Sequence, residues 1–146
     1  MPKLTITLEG AENLERALDV MEAKVAKKIT KRAMREGAKV VLRQAKANAP
    51  VDTGNMKRSM TVRAAAKRKR GEASFNVMFN TKKYPDLVTT TADGKRYFYP
   101  TVVEYGTSTR PGNGFMRRAW DSQKAAALRV IMGQFRKGIT DARAAR

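Results

Sequence analysis

Two backbone breakers, Pro50 and Gly54, lie four residues apart after a long helical pattern. Pro50 has no backbone N–H and disfavours helical geometry in the residue before it, so the helix must end at about this point. The side chain of Asp52 or Thr53 can then hydrogen bond to the local backbone, and Gly54 can adopt a positive φ at little cost. We therefore expect Pro50, Asp52, Thr53 and Gly54 to form a structural turn that fixes how the helix meets the segment after it.

Before this turn, apolar residues recur at helical spacing from Ala11 to about Ala47. At 1.5 Å per residue a continuous helix here would be roughly 50 Å long, which is more than one small core can cover. We expect the helix either to bend, near Gly37, or to pack part of its length on another subunit. The apolar stripe comprises Leu14, Leu18, Met21, Val25, Ile29, Ala33, Val40 and Val41.

Alternating patterns on either side of the long helix predict β-strands. A short strand is expected at Lys3 to Leu8, before the helix. After the turn, Ser59 to Ala66 and Ala73 to Asn80 are expected to form an antiparallel hairpin with a basic tip at 67–71. Three hydrophobic residues of its second strand share one face: Phe75, Val77 and Phe79.

The remaining segments complete the predicted fold. Residues 81–96 carry few periodic apolar positions, so we expect a long excursion without regular structure. A second helix is predicted from Phe115 to about Lys137, with Gly138 as its stop. The predicted fold class is α+β, with a long N-terminal helix and a C-terminal helix packed on a small antiparallel β-sheet. We expect one domain at 1–138 and a frayed tail at 139–146.

The composition argues against catalysis. The chain has neither cysteine nor histidine, which excludes disulfides, thiol nucleophiles, zinc sites built on those residues and the commonest general base. The thirteen carboxylates show no paired spacing of the kind that acid–base catalysis or a metal site requires. We therefore predict no enzyme activity, no cofactor, no bound metal and no small-molecule substrate. No apolar run approaches the ~20 residues that span a bilayer, so we expect no membrane partner and a protein that stays in a cytoplasm.

The net charge of +18 is concentrated between residues 24 and 70, which hold sixteen basic and two acidic residues. Such an excess attracts polyanions but says little about the fold. Three- and four-residue spacings place a basic stripe on one face of the long helix. The stripe is either a solvated surface or a surface directed at nucleic acid or at an acidic protein. The candidate contacts are Lys24, Lys28, Lys31, Arg35 and Lys39 on the stripe, which Lys46 extends, and Lys67, Arg68, Lys69 and Arg70 at the hairpin tip.

The most aromatic part of the chain runs from Tyr97 to Thr107. Its rings are expected to anchor a core or an interface rather than to stack on bases. Glu104 lies among apolar neighbours, and a buried carboxylate needs a partner, either an arginine or backbone amides. We therefore predict core or interface positions for five residues: Val103, Glu104, Tyr105, Gly106 and Phe115.

Two stretches taken together resemble a known family. Residues 49–60 read Ala-Pro-Val-Asp-Thr-Gly-Asn-Met-Lys-Arg-Ser-Met and follow a long basic helix. This block resembles the Ala-Pro-x-Asp-Thr-Gly-x-Leu-x-x-Ser-Ile signature of a tail-component family of long-tailed bacteriophages. Residues 103–107, Val-Glu-Tyr-Gly-Thr, and residues 114–119, Gly-Phe-Met-Arg-Arg-Ala, resemble the second block of that family. Gly114 and Arg118 depart from the family pattern, which usually has proline at both positions.

The resemblance implies a structural virion protein of the phage neck. Such a protein completes the head-proximal end of the tail and joins it to the capsid. The resemblance further implies a homo-oligomeric ring, sixfold, around the DNA channel, with other neck and tail proteins as partners. It places the chain at the head–tail junction of a virion assembled in the host cytoplasm, where non-specific DNA contact is compatible with its role. The alternative left by the residues alone is a free-standing basic nucleic-acid-binding protein.

Overall fold

The computed structural model describes residues 12–66 and 73–145 of the 146-residue chain. Helices and two small antiparallel sheets make up these residues, and the predicted α+β fold class is confirmed. The strand predicted at Lys3 to Leu8 and the basic tip predicted at 67–71 lie outside the described residues.

The predicted N-terminal helix is two helices, α1 at Glu12–Asp19 and α2 at Ala23–Asn48. The prediction of a bend near Gly37 is wrong, because the chain turns at residues 20–22, where Glu22 adopts extended backbone angles. Gly37 instead lies buried in the middle of α2. A Cβ atom at this position would lie 2.6 Å from Cδ1 of Ile131 on the neighbouring helix. Gly37 therefore permits a close approach of two helices and does not break its own.

The segment after α2 forms a short helix and the predicted hairpin. Helix α3 at Asn55–Ser59 leads directly into strand β1 at Met60–Ala64, which pairs antiparallel with β2 at Phe75–Phe79. Met60 lies opposite Phe79 at one end of the hairpin, and Ala64 lies opposite Phe75 at the other. The three residues predicted to share a face are buried: Phe75, Val77 and Phe79.

The prediction that residues 81–96 lack regular structure is wrong. A 3₁₀ turn at Pro85–Leu87 is followed by β3 at Val88–Thr90, which pairs antiparallel with β4 at Arg96–Phe98. Each strand has only three residues, and each contributes one strongly apolar residue to the pair formed by Val88 and Phe98. Strands this short show no alternation of apolar and polar residues in the sequence. The hairpin is anchored where it meets the core, by Leu87, which is 2% exposed.

The C-terminal half of the chain contains α4 at Tyr99–Tyr105 and α5 at Phe115–Ala144. The predicted stop at Gly138 is wrong, and residues 139–144, assigned to a frayed tail, are helical. A Cβ atom at Gly138 would lie 2.8 Å from Cγ2 of Ile29, so this glycine also serves helix contact. Ile139 is buried, which explains why the helix continues past Gly138. The single domain at 1–138 remains a prediction.

Helices α2 and α5 pack antiparallel and form the centre of the fold. Residue pairs mark their register along the whole length: Gly138 lies on Ile29, Gly37 lies on Ile131, and the amide of Gln123 approaches that of Gln44 at 3.4 Å. One core cluster joins this pair to both hairpins, and a second lies nearer the start of α2. Phe79 packs edge-to-face on Phe98 and on Phe115, with ring centroids 5.5 and 6.4 Å away, and so links both sheets to α5.

Candidate functional site

The two sequence blocks that resemble a phage family meet at one end of the α2–α5 pair. Asn48, the last residue of α2, donates a hydrogen bond from Nδ2 to the carbonyl oxygen of Phe115, the first residue of α5, at 3.3 Å. Ala49 and Met56 from the first block and Phe115 from the second are buried in the same core cluster. We call this end of the molecule the motif end.

The structural turn predicted at 50–54 is built from backbone and arginine contacts. Gly54 has a φ of 78° and precedes α3. Of the two candidate side chains, Thr53 makes the local hydrogen bond, because its Oγ1 accepts from the backbone N–H of Asn55 at 3.3 Å. Arg58 Nη2 donates to the carbonyl oxygen of Thr53 at 3.0 Å and to Oδ1 of Asn55 at 2.8 Å. Pro50 and Asp52 are exposed on the outside of this turn.

A polar contact ties this turn to the 3₁₀ turn at Pro85–Leu87, which precedes β3. Asn55 Nδ2 donates to Oδ2 of Asp86 at 2.8 Å. The chain Arg58–Asn55–Asp86 was not predicted from the sequence. Asn55 and Arg58 are three residues apart on α3 and could have been paired by their spacing. Asp86 lies 31 residues away from Asn55 and has no local signal.

Glu104 caps the N-terminus of α5 from a different helix. Its carboxylate accepts the backbone N–H of Met116 through Oε2 at 2.9 Å and that of Arg117 through Oε1 at 3.1 Å. Of the two expected kinds of partner, the carboxylate therefore has backbone amides. The N-cap residue of α5, Gly114, has no side chain, so the first turn of α5 takes its acceptor from Glu104. The negative charge also lies at the positive end of the α5 dipole.

The loop between α4 and α5 folds back tightly on α4. The carbonyl oxygens of Val103 and Glu104 accept the N–H groups of Asn113 and Gly114 at 2.7 and 3.0 Å. Gly106 has a φ of 81° and forms an isolated bridge with Pro111. A Cβ atom at Gly106 would collide with the backbone of residues 110–112. The loop is thus shaped by its own backbone contacts and not by burial.

The outer surface of this loop is solvent-exposed. Thr107 Oγ1 accepts the N–H groups of Thr109 and Arg110 at 3.3 and 3.2 Å, and Arg118 Nη2 donates to Asn113 Oδ1 at 2.6 Å. Tyr105, at the start of the loop, is 55% exposed. Tyr105 therefore does not belong to the core of its own chain, whereas Phe115 is fully buried and Val103 packs against the core cluster. We define the motif-end rim as Pro50–Asp52 together with the loop at 105–113.

The basic stripe lies along the outer face of α2, away from α5. Its members Lys24, Lys28, Lys31, Arg35 and Lys39 are all exposed. Lys39 Nζ pairs with Glu36 Oε1 at 2.7 Å, which is the one ion pair found among the residues that the structure describes. The guanidinium of Arg35 lies 6.0 Å from the centre of the Phe75 ring. The tip residues Lys67, Arg68, Lys69 and Arg70 lie outside the described residues.

Within residues 12–66 and 73–145, no cluster of three or more acidic side chains has the geometry to hold a metal ion. An open cleft of about 420 Å³ lies at the other end of the helix pair, between the start of α2 and the end of α5. Its lining contains one carboxylate, Glu22, together with Lys28 and Arg143. In the same part of the chain, no helix has the length and apolar character needed to cross a bilayer.

Comparison with known proteins identifies the family. A family model described as "Bacteriophage HK97-gp10, putative tail-component" matches residues 12–106, which is 95 of the 146 residues. The matched range contains the turn at 50–54 and the capping residue Glu104. No curated protein and no solved structure matches the chain significantly. Because the model covers well over half of the chain, this protein belongs to the bacteriophage HK97-gp10 tail-component family, a family of structural phage tail proteins.

Proposed function

We propose that this protein is a structural virion protein of the phage neck. It completes the head-proximal end of the tail and joins the tail to the capsid, as a sixfold ring around the DNA channel. Its partners are further copies of itself and other neck and tail proteins. It acts at the head–tail junction of a particle assembled in the host cytoplasm, without enzyme activity. Membership of the tail-component family supports the structural role.

The observation that carries this proposal is the motif-end rim. The rim is exposed, yet its loop is fixed by hydrogen bonds to α4 and α5. A surface held in one conformation before binding loses less conformational entropy when a partner docks. Tyr105 and Val51, 55% and 68% exposed, place apolar area on this rim. A rigid, partly apolar rim suits repeated contacts between subunits of a ring.

The role of Glu104 supports a function without catalysis. Both of its carboxylate oxygens accept backbone N–H groups of α5. A general base must also reach a substrate proton, and Glu104, at 7% exposure, is buried against α5. The most deeply buried carboxylate described in this chain is thus committed to holding two elements together.

Complementation with rim variants tests this proposal. A phage lacking its own copy is supplied with the double variant Tyr105→Ala and Arg110→Ala, or with the control Leu128→Ala and Arg129→Ala on the outer face of α5. Truncation of a Tyr or Arg anchor to alanine typically weakens the binding free energy of an interface by more than about 1 kcal/mol. We therefore expect the rim variant to lower the infectious titre by about tenfold or more. Circular dichroism of both variants establishes that each one folds. Equal titres for folded rim and control variants would contradict the assignment of the rim as an assembly contact.

The alternative is a free-standing nucleic-acid-binding protein, which the charge of α2 favours. The two functions differ in where the protein resides. A neck protein is a stoichiometric part of purified, nuclease-treated particles, which mass spectrometry of those particles measures. A free-standing binding protein would be found in the lysate and not in the particles.

A further inference from the structure

The outer face of α2 carries far more positive charge than a solvated helix face needs. Nine of the 26 residues of α2 are basic, and one, Glu36, is acidic. The cations lie on the side of α2 opposite the buried residues that contact α5, and they extend from Lys24 to Lys46. Natural surfaces usually intersperse both signs of charge, which limits repulsion.

The spacing of these cations makes them repel one another. Like charges four residues apart on a helix destabilise it by roughly 0.2–0.5 kcal/mol per pair. Such pairs are formed along α2 by residues 24 and 28, 27 and 31, 28 and 32, 31 and 35, 35 and 39, and 39 and 43. Glu36, the one acidic residue of α2, forms an ion pair with Lys39. A bound polyanion would relieve the repulsion along the whole helix.

The character of the face favours a phosphate backbone over an acidic protein. Protein interfaces rely on buried aromatic or apolar anchors at their centre. The large hydrophobic residues found exposed in the described part of the chain are Val20, Val51, Tyr97, Tyr105 and Leu128, and none of them lies on α2. Binding to a phosphate backbone can be supplied by positively charged side chains without an apolar anchor. From Lys24 to Lys46 the stripe extends roughly 33 Å at 1.5 Å per residue, about one turn of B-form DNA.

We propose that the outer face of α2 binds the sugar–phosphate backbone of duplex DNA without sequence preference. The contacts are made by lysine and arginine side chains of one rigid helix. Among them, Lys24, Lys28 and Lys31 are exposed and take no part in the Glu36 ion pair or in the Arg35 contact with Phe75. This inference rests on the surface of α2 and not on the proposed place of the protein in the virion. It can fail while the neck function stands, because the rim and α2 are different surfaces.

The test compares two variants that lose the same charge. The α2 variant combines Lys24→Gln, Lys28→Gln and Lys31→Gln. The control combines Lys124→Gln, Arg136→Gln and Lys137→Gln on α5, all exposed. Lys, Arg and Gln have similar helix propensities, so both variants should fold, which circular dichroism verifies. Fluorescence anisotropy of a labelled random-sequence duplex of about thirty base pairs gives the Kd of the nuclease-treated full chain over a range of salt concentrations.

We expect the α2 variant, but not the control, to weaken DNA binding. Loss of three phosphate contacts should reduce the slope of log affinity against log salt by about 2–3 and raise Kd at 0.1 M salt at least about tenfold. Equal losses in the two variants would mean that net charge and not α2 determines binding, and would overturn the proposal. Displacement of the duplex by polyglutamate at equal charge concentration would also overturn it, in favour of an acidic protein surface.

Discussion

At the scale of single residues, Glu104 explains why the two parts of the second sequence block occur together. The carboxylate belongs to α4, while both N–H groups that it accepts belong to the first turn of α5. The Gly106 turn brings the two helices to this distance, and so does Gly112, where a Cβ atom would overlap the Glu104 carbonyl oxygen. A glutamate followed two residues later by glycine and, nine residues after that glycine, by the start of a helix is therefore one structural unit.

Replacing Glu104 with glutamine is expected to lower the free energy of unfolding by about 1–2 kcal/mol. The amide keeps one acceptor oxygen, but its NH₂ group faces a backbone donor and its charge no longer favours the helix dipole. Urea denaturation followed by circular dichroism measures this change. Asp121→Asn removes the same charge at an exposed position of α5 and should change stability by less than about 0.5 kcal/mol. Equal effects of the two substitutions would contradict the capping role.

The chemistry of Glu104 could be anticipated from the sequence, but its partner could not. Apolar neighbours imply burial, and burial of a carboxylate implies hydrogen bonds. The identity of the donors depends on the path of the loop at 106–114, which brings residues 12 and 13 positions away into contact. The same limit applies to Asp86, whose contact with Asn55 depends on the path of the 3₁₀ turn at Pro85–Leu87.

At the scale of elements, the contact between α2 and α5 is set by small residues. Gly37 and Gly138 face Ile131 and Ile29 across the interface, where a side chain would overlap its neighbour. The sequence pattern identified both helices and their apolar faces, because helical periodicity reports which side is buried. Periodicity does not report how closely a second helix approaches. Both glycines were therefore interpreted as local breakers, although their role is in packing.

Two glycine-to-alanine substitutions should have opposite effects on stability. Gly133→Ala, at an exposed α5 position with open space around it, should raise the free energy of unfolding by about 0.5–1 kcal/mol, because alanine favours helix. Gly37→Ala should lower it by about 1–3 kcal/mol, since its Cβ would overlap Ile131, which is fully buried and cannot move aside. Thermal and urea denaturation of the two variants would check this. Stabilisation by both would show that α2 and α5 do not approach as closely as described.

At the scale of the whole molecule, the fold separates two surfaces by position. The motif-end rim lies where α2 ends and α5 begins, and the basic stripe follows the outer side of α2. The α+β class followed from the order of periodic segments, whereas the number of strands did not, because the second hairpin has strands of only three residues. The place of the protein in a particle depends on contacts with other chains, which one sequence does not specify. The neck role therefore requires a test in the assembled phage.

Electron microscopy of a lysate made by the phage without a working copy of this chain would decide whether the protein joins heads to tails. We expect DNA-filled heads and separate tails, with normal virions restored when the chain is supplied and a ring of density visible at the head-proximal tail end. Virions whose heads and tails are already joined in the absence of the chain would contradict the proposed neck function.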